Sequence, residues 1–293
     1  MKKLFFLSMF CIKCLFSLAQ TPTFVQDSLK LISSQFKFTE GASVDKEGNV
    51  FFTDQPNDKI WKYGTDGKLS LYMEKSGRAN GTYFDKKGNL IVCADENNQI
   101  WSIDKNKKIS ILFTDIDGKK VNGPNDIWID KKGGIYFTDP YYQRDYWTRT
   151  APQIVGEKVY YLPQGKKTPH AVADGFKRPN GILGTPDGKY LYVADRVADV
   201  TYRYKINEDA SLNERELLLK QGSDGMTLDS EGNIYITGKG VDIYSKSGAH
   251  IGHIDVPENW CGNICFGGKN KNILFITASK SLYSIKTTAK GVE

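Results

Sequence analysis

One pattern recurs six times along this chain and leaves few folds open to it. It is a polar corner, a short apolar strand, a tight turn and a second apolar strand. The clearest copy runs over 123–140: Gly123-Pro124-Asn125-Asp126, then Ile127-Trp128-Ile129, the turn Lys132-Gly133-Gly134, and Ile135-Tyr136-Phe137-Thr138 ending at Asp139. The apolar runs are too short for helices and rich in β-branched and aromatic residues, and the glycines supply turn chemistry. Further copies begin at Glu40-Gly41, Asn80-Gly81, Asn180-Gly181, Asp224-Gly225 and Asn263-Ile264.

The corner residues lie at 40, 80, 125, 180, 224 and 263, with steps of 40, 45, 55, 44 and 39 residues. A third short strand follows each hairpin, as in Ile60-Trp61-Lys62-Tyr63 and Ile100-Trp101-Ser102-Ile103. About four strands per unit at this period predict an all-β fold, a six-bladed β-propeller with four-stranded blades. A single blade cannot bury both faces, so blades must stack around an axis. The last unit runs out soon after its third strand, and an apolar segment at 29–36 precedes the first unit. That N-terminal strand is expected to close the ring and hide two open sheet edges. The longest step, 125 to 180, carries an aromatic insertion at 141–147, read as a lid over one mouth.

Residues 1–19 read as a signal peptide: Lys2-Lys3, an apolar run from Leu4 to Leu18, and small residues before a cut ahead of Gln20. Lys13 interrupts the run and argues against a stable membrane span, and Cys11 and Cys14 lack a lipobox-like lead-in. The expectation is export to a periplasm or the exterior, with 20–293 as a single propeller domain, a monomer with no membrane attachment after cleavage. The formal charge is +6, and removal of the three leader lysines leaves +3, with no basic run to suggest nucleic acid. Cys93, Cys261 and Cys265 are too few for a disulfide framework and are expected to be small buried hydrophobes.

In a propeller the innermost strand of each blade lines the channel, so the corners converge near one mouth. They read Glu40, Asn80, Asn125, Asn180, Asp224 and Asn263, all oxygen-bearing. The simpler account is that Asn and Asp favour strand-entry turns and cap their own backbones. It explains Glu40 poorly, and it does not predict convergence on a ring. A hard oxygen set without His or Cys suits calcium first, magnesium or manganese next, and zinc less well. The three histidines, His170, His250 and His253, are away from the corners and expected at the surface. No Gly-x-Ser-x-Gly elbow, P-loop or dinucleotide fingerprint occurs. Asp54, Asp95, Asp139 and Asp195 end the second strands; they are read as turn-formers at the far end of the hairpin, not as ligands.

The phrases Glu40-Gly41, Arg78-Ala79-Asn80-Gly81, Asn122-Gly123-Pro124-Asn125-Asp126, Phe137-Thr138-Asp139-Pro140, Arg178-Pro179-Asn180-Gly181, Asp224-Gly225-Met226 and Asn263-Ile264-Cys265-Phe266-Gly267-Gly268 occur in this order over roughly 35–285. In order and spacing they resemble the senescence marker protein / gluconolactonase / luciferin-regenerating family. The resemblance implies a six-bladed propeller with one divalent metal in the channel, commonly calcium. It implies Glu40, Asn180 and Asp224 as metal ligands, Asn125 beside metal and substrate, and Asp224 as the general base. Some members place a sugar-holding arginine two residues before the Asn125 position; here Gly123 stands there. Substrate contacts are therefore expected from Asn80, Asn125 and Asn263, with Arg78, Asp126 or the insertion in the arginine's place.

The expected activity is metal-dependent hydrolysis of sugar lactones, with the metal polarising the carbonyl and a carboxylate activating water. The alternatives are a calcium-dependent phosphotriesterase or other esterase of the same fold, and a non-catalytic sugar- or protein-binding propeller.

Overall fold

The computed structural model describes residues 24–25 and 27–292; the leader at 1–19 lies outside the described residues. Six four-stranded antiparallel sheets follow one another around a ring. The first strand is β1 (Lys30–Ser33). Blade 1 holds β2 (Thr39–Val44), β3 (Val50–Asp54), β4 (Lys59–Tyr63) and β5 (Leu69–Glu74). Blade 2 holds β6 (Ala79–Phe84), β7 (Leu90–Ala94), β8 (Gln99–Ile103) and β9 (Ile109–Phe113). In blade 3 these are β10 (Ile127–Ile129), β11 (Ile135–Asp139), β12 (Glu157–Leu162) and β13 (His170–Phe176). Blade 4 comprises β14 (Pro179–Gly184), β15 (Tyr190–Asp195), β16 (Val200–Ile206) and β17 (Leu212–Leu219). In blade 5 they are β18 (Met226–Leu228), β19 (Ile234–Gly238), β20 (Gly240–Tyr244) and β21 (His250–Ile254). Blade 6 holds β22 (Cys261–Gly267), β23 (Ile273–Ala278) and β24 (Ser281–Lys286), and its outer strand is β1.

The ring closes through that last sheet. β1 pairs antiparallel with β24, Lys30 opposite Ser284 and Leu31 opposite Tyr283. The edge that β24 would otherwise present is thus covered by the chain's own N-terminal strand. Second strands such as β3, β7 and β19 are buried along their whole length, because each sheet has a neighbouring blade on both faces. Side chains from adjacent blades share their cores. Phe36, Phe52, Cys265 and Phe275 form one cluster between blades 1 and 6. Trp128, Tyr136, Ile182 and Leu191 do the same between blades 3 and 4. Cys93, Cys261 and Cys265 are buried and form no disulfide among the described residues, and the three histidines are exposed, as the sequence leads one to expect.

The inner strands are not regular where they begin. β2, β6, β14 and β22 each carry one extra residue against the second strand at the corner, in the intervals 40–43, 79–82, 179–182 and 261–263. Such bulges re-aim a side chain out of the pleat, here toward the channel. In blade 1 the glycine after the corner makes this possible. Gly41 has φ +57°, and a Cβ on it would lie 2.0 Å from the carbonyl oxygen of Asn80 in the next blade. Buried second-strand threonines then hold the corner backbones: Thr53 Oγ1 donates to Asn80 O at 3.1 Å, and Thr138 Oγ1 to Asn180 O at 2.7 Å.

Candidate active site

The ring brings five of the six corners to one cavity of about 430 Å³, a size ordinary for a small-molecule site. Glu40, Asn80, Asn125, Asn180 and Asp224 line it, together with Phe38, Gln55, Tyr142, Arg144, Arg196, Val197 and Trp260. Three expected substrate-binding residues, Asn263, Asp126 and Arg78, do not line it. Asn263 spends its side-chain oxygen on the Ile264 N–H at 2.7 Å. Asp126 accepts from Ile127 N at 2.9 Å and faces Ile182 N at 3.4 Å, holding strand backbone instead of the cavity wall. Arg78 donates from Nη1 to Pro56 O at 3.1 Å and lies 4.3 Å over the Tyr146 ring, behind the insertion.

At the floor, Asp224 is the best-held group. Asn180 Nδ2 donates to its Oδ1 at 2.8 Å, Trp260 Nε1 donates to Oδ2, and Arg196 Nε lies 3.7 Å from Oδ1. Burial nevertheless pushes its carboxyl up to about 6, against the pull of Trp260 and Arg196. Glu40 is driven well above the usual range, first by burial and then by the negative charges of Asp224 and Asp126; a backbone N–H bond at Gly41 and Arg144 oppose this only in part. The Asn80 and Asn125 side chains, both under a tenth exposed, make no hydrogen bond among the described residues.

Two carboxylates that repel one another, beside unspent amide oxygens, fit a hard divalent cation. It would neutralise the pair and complete its shell with water or substrate oxygens. Among the described residues no group of three or more His, Cys, Asp or Glu side chains offers an alternative metal centre. Gly262 protects this arrangement, since a Cβ there would lie 2.9 Å from the Glu40 carboxyl carbon.

The aspartates at the second-strand ends have partners after all. Thr39 pairs with Asp54 and Pro179 with Asp195, so these aspartates return to the same mouth as the corners. Asp54 accepts from the N–H groups of Lys37 and Phe38, Asp139 from Asn122 and Gly123, and Asp195 from Lys177 and Arg178. Each holds the two residues that lie three and two places ahead of a corner. They are clamps for the corner loops.

Blade 2 departs from this rule. Arg78 N bonds Asp58 Oδ1 at 2.7 Å instead, which leaves Asp95 for the insertion. Asp95 Oδ2 accepts from Arg144 Nε at 2.8 Å, Tyr146 OH at 2.6 Å and Gln55 Nε2 at 3.0 Å, and Trp147 Nε1 donates to its carbonyl at 2.9 Å. The insertion is thereby fastened across the mouth. It places Tyr142 against Asn180 Nδ2 at 3.2 Å, and Arg144 on the cavity wall. Trp147 fills the space at Gly123, where a Cβ would meet its ring at 3.0 Å.

Sequence reasoning missed Gln55, Arg196 and Trp260. Gln55 and Arg196 sit one residue beyond Asp54 and Asp195, so the repeated aspartates were the signal that could have found them. Trp260 stands three residues ahead of the Asn263 corner, a position the repeat marks but where the other five units carry no aromatic residue.

Comparison with known proteins agrees with this geometry. Residues 38–280 match the SMP-30/Gluconolactonase/LRE-like region. A gluconolactonase of Zymomonas mobilis is 28% identical over 302 residues, covering 91% of this chain and 83% of its own. A solved gluconolactonase from Xanthomonas campestris superposes with a TM-score of 0.83 at 23% identity, over 90% of this chain and 91% of that one. A calcium-binding regucalcin from Agrobacterium tumefaciens does so with a TM-score of 0.76 at 17% identity, over 90% and 95%. At those identities the two structures speak for the fold alone. The family match runs from the start of the first blade to the last hairpin, and the chain belongs to the SMP-30/gluconolactonase/LRE-like family as a gluconolactonase-like enzyme.

Proposed function

We propose that this protein hydrolyses sugar lactones with the help of a divalent cation, calcium first, with magnesium, manganese or zinc as alternatives. The observation that carries the reading is the cavity floor. Glu40 and Asp224 face each other's charge there beside Asn125 and Asn180, an arrangement that costs stability unless a cation joins it. Glu40, Asn180 and Asp224 would hold the ion, with Asn125 beside it. When bound, such an ion supplies Lewis-acid polarisation of the lactone carbonyl and acidifies water.

The chain's own residues do the rest. The Asp224 carboxylate, more basic than a solvated aspartate because it is buried, takes the proton from the attacking water. Trp260 Nε1 and Asn180 Nδ2 hold it in one orientation. Neutral Asn125 and Asn180 donate or accept without adding negative charge where an oxyanion develops. The insertion narrows the mouth, and Tyr142 presents its hydroxyl to the ring of the substrate. Export rests on the pattern of residues 1–19 and is part of the same proposal.

The test is hydrolysis of glucono-1,5-lactone by calcium-supplied protein, with spontaneous opening subtracted, beside Asp224→Asn. The expected result is enzymatic opening that falls by roughly a hundredfold or more in the variant. Opening of other esters but no lactone would replace the substrate class and keep the site. An Asp224→Asn protein as active as wild type would remove Asp224 as the base.

A further inference from the structure

Two arginines reach the cavity from different elements, and each has a carboxylate near its Nε. Arg144, from the insertion, gives Nε to the buried Asp95 at 2.8 Å. Arg196, one residue beyond β15, directs Nε to Asp224 Oδ1 at 3.7 Å and stacks its guanidinium 3.9 Å over the Trp260 ring. The terminal nitrogens of both make no hydrogen bond among the described residues, although both side chains line the cavity. Tyr142 OH accepts from Asn180 Nδ2, so its own proton is also unspent.

A guanidinium held by a bond at Nε, as in Arg144, or by stacking, as in Arg196, has already lost much of its rotamer freedom, and its two terminal nitrogens offer donors to a carboxylate, sulfonate or phosphate. Arg144 is paired with Asp95, and a divalent ion would offset Glu40 and Asp224, with the charge of Asp126 also reaching Glu40. Arg196 stands at the rim with its side chain 38% exposed, and among the described residues no carboxylate bonds its terminal nitrogens.

We propose that the substrate of this site is an acidic sugar lactone, bearing a carboxylate, sulfonate or phosphate away from the lactone carbonyl, and that Arg196, with Arg144, binds that group. The acidic group sits on the rim while the lactone carbonyl points to the floor. This assignment deepens the lactonase reading and rests on it for the reaction, but the anion subsite itself is a binding claim. It also accounts for Gly123: the wall that a side chain from this position would supply is built here by the insertion, and Arg144 comes with it.

The test separates the two. Calorimetry on calcium-supplied protein compares gluconate with glucarate and with 6-phosphogluconate, which add a carboxylate or a phosphate at the far end. Glucarate, a dianion, and 6-phosphogluconate, close to a trianion at neutral pH, are each expected to bind at least about tenfold more tightly than gluconate, the scale of one charge-assisted contact. That advantage should fall below about threefold in Arg196→Gln and persist in part in Arg196→Lys, with circular dichroism checking that both fold. A preference for only glucarate or only 6-phosphogluconate identifies the acidic group as carboxylate or phosphate. Equal binding of all three, or an advantage that survives Arg196→Gln, overturns the subsite.

Turnover is read in parallel on glucono-1,5-lactone and on an acidic lactone. Opening of the neutral lactone without any preference for glucarate or 6-phosphogluconate keeps the lactonase and removes the subsite. That preference with no lactone opened keeps the subsite and removes the lactonase.

Discussion

At the scale of single residues the molecule separates aspartates that hold backbone from those that face the cavity. Asp139 is fully buried and accepts from Asn122 N at 2.9 Å and Gly123 N at 2.7 Å, and burial pushes it up to about 7. Its folded value lies above the 3.8 of a solvated aspartate, so its contribution to stability is complete below about pH 4 and is lost as pH rises through about 7. Denaturant midpoints at pH 4.5 and 7.5 should therefore show a larger fall for wild type than for Asp139→Asn, which cannot ionise. Equal falls would show that Asp139 does not carry this dependence. Asp95 plays the other part. Asp95→Ala leaves Arg144 without its buried partner, at a cost of roughly 3–5 kcal/mol for a broken buried pair. Hydrogen exchange should then rise across 141–149, and KM for lactone should rise more than kcat falls. Unchanged exchange in that segment would mean that Asp95 does not fasten it.

At the scale of elements, four inner strands are bulged at the corner, and three of these, β2, β6 and β14, turn the corner side chain into the cavity. Gly41→Ala would place a Cβ against Asn80 O at 2.0 Å in a left-handed backbone. We expect a loss of several kcal/mol in a chemical melt, together with weaker calcium binding, because Glu40 and Asn80 move together. A variant with native stability and native calcium affinity would contradict the account of the bulge.

This is also where the sequence was most and least legible. The corners were readable because Asn-Gly and Glu-Gly pairs recur with apolar strands behind them, and their steric demand is local. Asp54, Asp139 and Asp195 were misplaced because a hairpin carries its second strand back to the mouth it started from, and pairings such as Thr39 with Asp54 depend on register. Arg78 and Asp126 lie within two residues of corners, but that proximity does not decide where a side chain bonds: Arg78 reaches Pro56 O and Asp126 the Ile127 and Ile182 N–H groups. Trp260 touches Asp224 across a blade boundary, a contact that no local pattern encodes.

At the scale of the whole molecule, the ring is what makes five corners into one site. Blade 6 takes its outer strand from the other end of the chain, with Lys30–Ser33 beside Ser281–Lys286. Removing residues 24–34 should expose the β24 edge and, by taking Ile32 away, uncover the Phe36, Phe52 and Phe275 cluster. A lower melting temperature and self-association on size exclusion are the expected outcome. A truncated chain that stays monomeric with an unchanged melt would show that closure does not depend on this strand. The six inner strands meet at the channel, so loosening any blade should reach the floor carboxylates.

Glu40, Asn125, Asn180 and Asp224 are proposed to form a cation-dependent hydrolytic floor. The most direct measurement is the rate of glucono-1,5-lactone opening by chelator-stripped protein before and after calcium is returned, with the uncatalysed rate subtracted. We predict background opening in the stripped protein and full recovery with calcium, and neither binding nor recovery in Glu40→Gln. Full activity in the stripped protein, or recovery in Glu40→Gln equal to wild type, would contradict the claim.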